Sequence, residues 1–186
     1  MGFYRQPGFL TPAECLAVRW AMDRGVVEQA EVLAGGIQGD TGVRLATLVE
    51  PDPDVVRDVE ARLETCREPV AAALGMAVAD REGPGFIRYP AGGFYRAHRD
   101  RGDDSAWEGA ARRAVALVVF LNDGRDGGSA GEFDGGVLRL FLSDARVDIV
   151  PAAGLLVAFP AEVLHEVTDV RGGTRDTIVD WLYAVS

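Results

Sequence analysis

The spacing of apolar residues changes character once along the chain, near Gly85. Before that point apolar positions recur at helical intervals. Thr11-Pro12-Ala13-Glu14 has the layout of a capping box with proline at the first helical position, and Leu10 is placed to staple onto Cys15 across the helix start. A helix is predicted from about Pro12 to Arg24, ended by Gly25. Asp52-Pro53 opens a second, in which Val55, Val59, Leu63, Cys66, Val70 and Leu74 keep helical spacing. Pro69 should kink or break it, because proline lacks the N–H a helix interior needs and its ring crowds the preceding turn. A Gly-rich segment, Leu33 to Gly42, separates the two helices.

From Gly85 the texture becomes short β-branched or aromatic runs separated by Gly, Asp and Pro. Strands are predicted at Phe86 to Tyr89, Tyr95 to Arg99, Ala114 to Leu121, Val137 to Leu142, Val147 to Val150, Leu155 to Phe159, Val163 to Val167 and Thr177 to Ala184. Eight short strands after a helical third predict a mainly β fold with flanking helices: a double-stranded β-helix, the jelly roll of cupin-like proteins, with N-terminal helices packed on one sheet. A single domain over 1–186 is expected, with helical support over about 1–84 and the core over about 85–186. Asn122 to Gly136, rich in Gly and Asp, is the expected mobile loop.

Composition narrows the partners. Nineteen basic against twenty-nine acidic residues give a formal charge of -10, which repels phosphate backbones and argues against nucleic acid. All nineteen basic residues are arginine, so any bound anion must be gripped by guanidinium. Cys15 and Cys66 form no cluster and read as reduced core residues. No apolar run approaches the roughly 18 residues a membrane helix needs, and the N-terminus lacks a secretory layout. A cytoplasmic protein without a membrane partner is expected.

The chain has only two histidines. His98 opens His98-Arg99-Asp100, and on a strand residues two apart share a face, so one strand can supply an imidazole and a carboxylate together. His165, from a later strand, would complete the two-His-one-carboxylate triad that holds non-haem iron(II) and leaves three positions open. Hydrogen-bonded core histidines are the alternative that these residues alone leave open.

The surroundings of both histidines carry a resemblance. Arg88-Tyr89-Pro90-Ala91-Gly92-Gly93-Phe94-Tyr95-Arg96-Ala97-His98-Arg99-Asp100 resembles the entry strand of the prolyl 4-hydroxylase-like 2-oxoglutarate oxygenases, whose pattern is Arg-Tyr, glycine, an aromatic, then His-x-Asp. Phe120-Leu121-Asn122-Asp123, Asp134-Gly135-Gly136-Val137-Leu138, His165-Glu166-Val167 and Arg175-Asp176-Thr177-Ile178-Val179-Asp180-Trp181 extend the likeness, which spans about Phe86 to Tyr183.

The resemblance implies an Fe(II)- and 2-oxoglutarate-dependent dioxygenase that hydroxylates an unactivated C–H bond. Proline or another amino acid, free or in a peptide, or a small metabolite would be the substrate. Iron(II) would be held by His98, Asp100 and His165, with dioxygen as the other partner and ascorbate in support. The cosubstrate's distal carboxylate would be met by Arg175, ten residues past His165, where the family places its basic residue. Thr177, of the same strand parity, and Tyr89 would add hydrogen bonds. The other reading of Arg175 is a solvent-facing turn residue after Gly172-Gly173, and Arg171 is expected in that turn. Trp181 reads first as core filling and second as a wall of the substrate pocket, with Tyr95 and Arg44 as further candidate contacts. No acid or base beyond the metal ligands is required. The carboxylate at Asp100, where halogenating relatives carry Gly or Ala, implies hydroxylation. Two other classes stay open: a cupin-like metalloenzyme that does not use 2-oxoglutarate, and a metal-free β-sandwich binding module.

Overall fold

The eight strands expected after Gly85 are all present in the computed structural model, each within two residues of its expected ends. The structure describes residues 2–29, 42–102, 108–127 and 131–185. The Gly-rich segment before Arg44 therefore lies largely outside the described residues.

Two sheets face each other. The larger runs in the order Tyr4–Gln6, Leu156–Pro160, Arg113–Phe120, Arg175–Ala184, Gly85–Tyr89, Thr47–Glu50, Val26–Gln29, and Val78–Arg81 pairs with the far end of Arg175–Ala184. The smaller runs Arg146–Ile149, Leu138–Phe141, Leu164–Val167, Phe94–His98, Arg44–Leu45. Pairing within both is antiparallel, and their facing sides form the inside of a jelly roll.

The last strand, Arg175–Ala184, separates two interiors by strict alternation. Ile178 and Leu182 face outward into a core shared with Cys15, Val18, Met22, Val59, Leu63 and Val70 of the helices. Val179 and Trp181 face inward, against Phe120, Leu138, Leu140 and Phe159. Each fully buried aliphatic or aromatic side chain contributes on the order of 1.5–3 kcal/mol, so both faces of this strand are held.

The helices form where the caps predict, with adjustments. Helix Pro12–Met22 has the complete capping box between Thr11 and Glu14. The second helical stretch is two helices, Pro53–Glu64 and Arg67–Leu74, and the break falls at Thr65 and Cys66, ahead of Pro69. Pro69 sits in the first turn of the later helix, where a missing N–H leaves no bond unmade.

Three expectations need correction. The first 84 residues are not helical support alone: Tyr4–Gln6, Val26–Gln29, Arg44–Leu45, Thr47–Glu50 and Val78–Arg81 extend the sheets. These segments are too short to show a period, and pairing with edges of the core strands decides them. In the stretch expected as a loop, Gly124–Arg125 and Phe133–Gly135 pair in parallel, and Phe133–Gly135 pairs with Val170–Gly172. Phe133, buried against Ile87, Tyr89 and Val170, anchors that small sheet. Arg171 consequently lies in a strand, on the surface, bonded to Asp126 and Asp134.

Candidate metal centre and adjoining cavity

Strand register brings the two histidines together. Leu164–Val167 pairs with Phe94–His98 so that His165 lies directly across from His98, with ring centroids 4.2 Å apart. His98 Nδ1 is 2.8 Å from the Arg96 carbonyl and His165 Nδ1 is 2.9 Å from the Val163 carbonyl. A carbonyl only accepts, so both Nδ1 atoms carry a proton, and both Nε2 atoms are the ones turned toward Asp100. Asp100 lies beyond the end of its strand, which stops at His98, so strand parity does not aim it. Its backbone N–H donates to the Ala161 carbonyl at 2.9 Å, as does that of Arg101 at 3.1 Å. Asp100 Oδ1 is then 3.5 Å from His98 Nε2, and Oδ2 is 3.6 Å from His165 Nε2.

The electrostatics suit a cation. Burial pushes the His165 imidazole down to about 4, against the pull of Asp100, so it is neutral at pH 7. Burial works to raise the Asp100 carboxyl, but His165, His98 and Trp181 outweigh it and hold the group well below the usual carboxylate range. One ligand atom from each of the three residues falls within 4.8 Å of the others. Two imidazole nitrogens and one anionic oxygen on one side of a cavity are a donor set that can hold a divalent transition metal.

Tyr95 stacks on His98, rings 3.5 Å apart and 18° from parallel, and Phe159 meets His165 edge-on at 4.8 Å. Strand parity would send Tyr95 and His98 to opposite faces. The register answers this: His165 to Val167 spans two positions where His98 to Tyr95 spans three, so a bulge turns both rings to one side. Burial raises the Tyr95 phenol to about 12, and the Arg44 guanidinium lies 4.6 Å over its ring.

Arg175 is buried beside this cluster, which overturns the solvent-turn reading. It opens the long strand directly across from Tyr89, its guanidinium 4.8 Å from that ring. Nη1 donates to Thr177 Oγ1 at 3.3 Å, while Nε is buried with no hydrogen-bond partner. Burial lowers its pKa to about 10, yet it stays charged at neutral pH. No carboxylate among the described residues lies within ion-pair distance of it. Gly136, with a positive φ of 58°, makes room for it: a Cβ there would lie 2.8 Å from Arg175 Cδ. Arg175 and Tyr89 line the same cavity, of about 80 Å³, as His98, Asp100, His165 and Trp181. Trp181 both lines this cavity and packs against the inward core cluster.

Sequence reasoning passed over Arg113 and Glu82. Arg113 lines the cavity, is buried, and is bonded to Glu82 through Nε and Nη2, both at 2.6 Å. The one visible signal is a charge opening the otherwise apolar strand Arg113–Phe120.

A jelly roll with two imidazoles and a carboxylate turned into its interior belongs to the cupin-like class of metalloprotein folds. The sequence model of the 2OG-Fe(II) oxygenase superfamily matches residues 84–183, and the chain belongs to that superfamily, whose cofactor and cosubstrate are Fe(II) and 2-oxoglutarate. It is 31% identical over 153 residues to a PKHD-type hydroxylase of Shewanella sp. (strain MR-7), covering 81% of this chain and 64% of that one. The chain thus spans less than two thirds of that relative's length. A Pseudomonas putida prolyl-4-hydroxylase superposes with a TM-score of 0.77 at 28% identity, over 100% of this chain and 94% of that one. A Trichoplax adhaerens prolyl hydroxylase, solved with a hypoxia inducible factor oxygen degradation domain peptide fragment, shares the fold at a TM-score of 0.75 and 21% identity, over 98% and 83%. No helix among the described residues is long and apolar enough to cross a membrane.

Proposed function

We propose that this protein is a 2-oxoglutarate-dependent hydroxylase acting on an unactivated C–H bond, working as one domain, with iron(II) held by His98, Asp100 and His165. The observation that carries the reading is a single cavity with a metal-ready cluster at one part and, at another, a buried guanidinium with no carboxylate partner among the described residues. Arg175 supplies the two-pronged grip a distal carboxylate needs, Thr177 adds a hydroxyl, and Tyr89 adds a phenol from the facing strand. The two imidazoles and the ionised Asp100 match the donor set of the family's metal.

Bound there, iron and 2-oxoglutarate supply the oxidising power: dioxygen is consumed, the cosubstrate leaves as succinate and carbon dioxide, and one oxygen atom enters a substrate C–H bond. The chain's own residues orient and shield. The carbonyls of Arg96 and Val163 lock the imidazole tautomers, and Val118, Leu138, Val167 and Val179 keep the cavity walls apolar. Trp181, Tyr95 and Arg44 line the remaining wall, where a substrate meets them. A prolyl or other amino-acid residue, free or within a peptide, is the proposed substrate class, in keeping with the hydroxylases this chain is similar to.

Purified protein incubated with iron(II), ascorbate and labelled 2-oxoglutarate, across a panel of amino acids and peptides, should release succinate and yield a product heavier by one oxygen. Absence of succinate under every condition, with metal bound, would instead favour a cupin-like enzyme that does not use 2-oxoglutarate.

A further inference from the structure

Four segments distant in sequence converge behind Asp100. Arg113, only 3% exposed, is gripped by both oxygens of Glu82 at 2.6 Å. Its guanidinium carbon lies 3.5 Å from the centre of the Trp181 ring, and its remaining Nη1 donates to the backbone carbonyl of Asp100 at 3.3 Å. The backbone N–H of Glu82 donates to the Trp181 carbonyl at 2.9 Å, which closes the arrangement on itself. The indole N–H of Trp181 is buried, near enough to stabilise the Asp100 carboxylate yet outside regular hydrogen-bond geometry with it.

This arrangement meets a specific need. Asp100 lies past the end of its strand, so sheet hydrogen bonding does not hold it. Its N–H is tied to Ala161 on one side and its carbonyl to Arg113 on the other, while its carboxylate must point between two imidazoles. A carboxylate ligand on a free loop can swing, and groups behind a ligand set its orientation. Glu82 neutralises Arg113, so the guanidinium can sit buried beside a prospective metal without adding net charge there. A lysine at 113 could hold a single bond to Glu82 but could not fork and stack at once.

We propose that Arg113, held by Glu82, is a positioning residue: it clamps the Asp100 main chain and the Trp181 ring so that the Asp100 carboxylate faces the metal. The inference rests on the reading of His98, Asp100 and His165 as ligands. It is tested on metal-free protein by Mn(II) titration followed by electron paramagnetic resonance, by the visible spectrum of the Co(II) form, and by thermal unfolding. Wild type, Arg113→Lys, Arg113→Met and Glu82→Gln are compared, with Asp176→Asn as a control that loosens the fold from the opposite face of the sheet. The expected result is roughly a tenfold or greater loss of Mn(II) affinity in both Arg113 variants, a smaller loss in Glu82→Gln, and altered Co(II) bands. Asp176→Asn should lower the melting temperature with Mn(II) affinity intact. Wild-type affinity and spectrum in Arg113→Lys, whatever its melting temperature, would overturn the positioning role alone. A wild-type protein that takes up neither metal would overturn the ligand assignment itself.

Discussion

Arg175 and Asp176 are neighbours in sequence, each 1% exposed, and they face opposite sides of one strand. Their surroundings differ in kind. Asp176 is enclosed by cations: Arg88 binds both its oxygens, at 2.7 and 3.0 Å, and Arg19 adds a third bond at 3.1 Å. Arg175 has a threonine hydroxyl at 3.3 Å, two aromatic rings and an unsatisfied Nε. A buried charge whose partners all come from the fold serves the fold, and one left without a counter-ion is held ready for a ligand. Burial lowers the pKa of Arg175 to about 10, and a base whose folded pKa is depressed destabilises the native state wherever it is charged, neutral pH included. The outward face of the strand is thus optimised for stability, and the inward face gives some of it up for binding.

The sharpest way to break this contrast is Arg175→Met. Removing the guanidinium should weaken 2-oxoglutarate binding at least about 100-fold, roughly 3 kcal/mol, because a desolvated carboxylate would lose the charged partner proposed for it. Denaturant unfolding of the same variant should show stability unchanged or raised. Calorimetric titration reads the first effect, and a variant that binds the cosubstrate normally while unfolding more easily would reverse the assignment of the two charges.

Asp176→Asn should do the opposite. Arg88 and Arg19 would lose an ionic partner, and because both are about one-quarter exposed the expected loss is about 2 kcal/mol, less than for a fully buried pair. Urea unfolding measures it, and 2-oxoglutarate affinity should stay within about twofold. The smallest effect belongs to Thr177→Val, which removes one hydroxyl from the Arg175 side: about 1 kcal/mol of cosubstrate affinity, seen as a raised KM for 2-oxoglutarate with little change in kcat.

Much of this could be read along the chain. The eight core strands follow from β-branched or aromatic runs bounded by turn residues, which are local, and the capping box at Thr11 and Glu14 needs only four consecutive residues. The scarcity of histidine singled out His98 and His165, and the parity of Arg175 and Thr177 survived folding as a direct contact. Parity failed at two places. Tyr95 reaches the face of His98 only because of a bulge, and Asp100 is aimed by Ala161 and Arg113 after its strand has ended.

What the sequence by itself determined is the set of local choices: which segments can be strands or helices, and which few residues have donor chemistry. Tertiary structure decided everything that depends on register between distant strands, including the opposition of His98 and His165 and the five short strands of the first 84 residues. It also decided which buried charge is answered by the fold and which is left open. Local periodicity states where a side chain points, but the identity of the group facing it is set by pairing across some 80 to 160 residues, as in Arg88 with Asp176 and Arg19 with Asp176, and no window of sequence contains both partners.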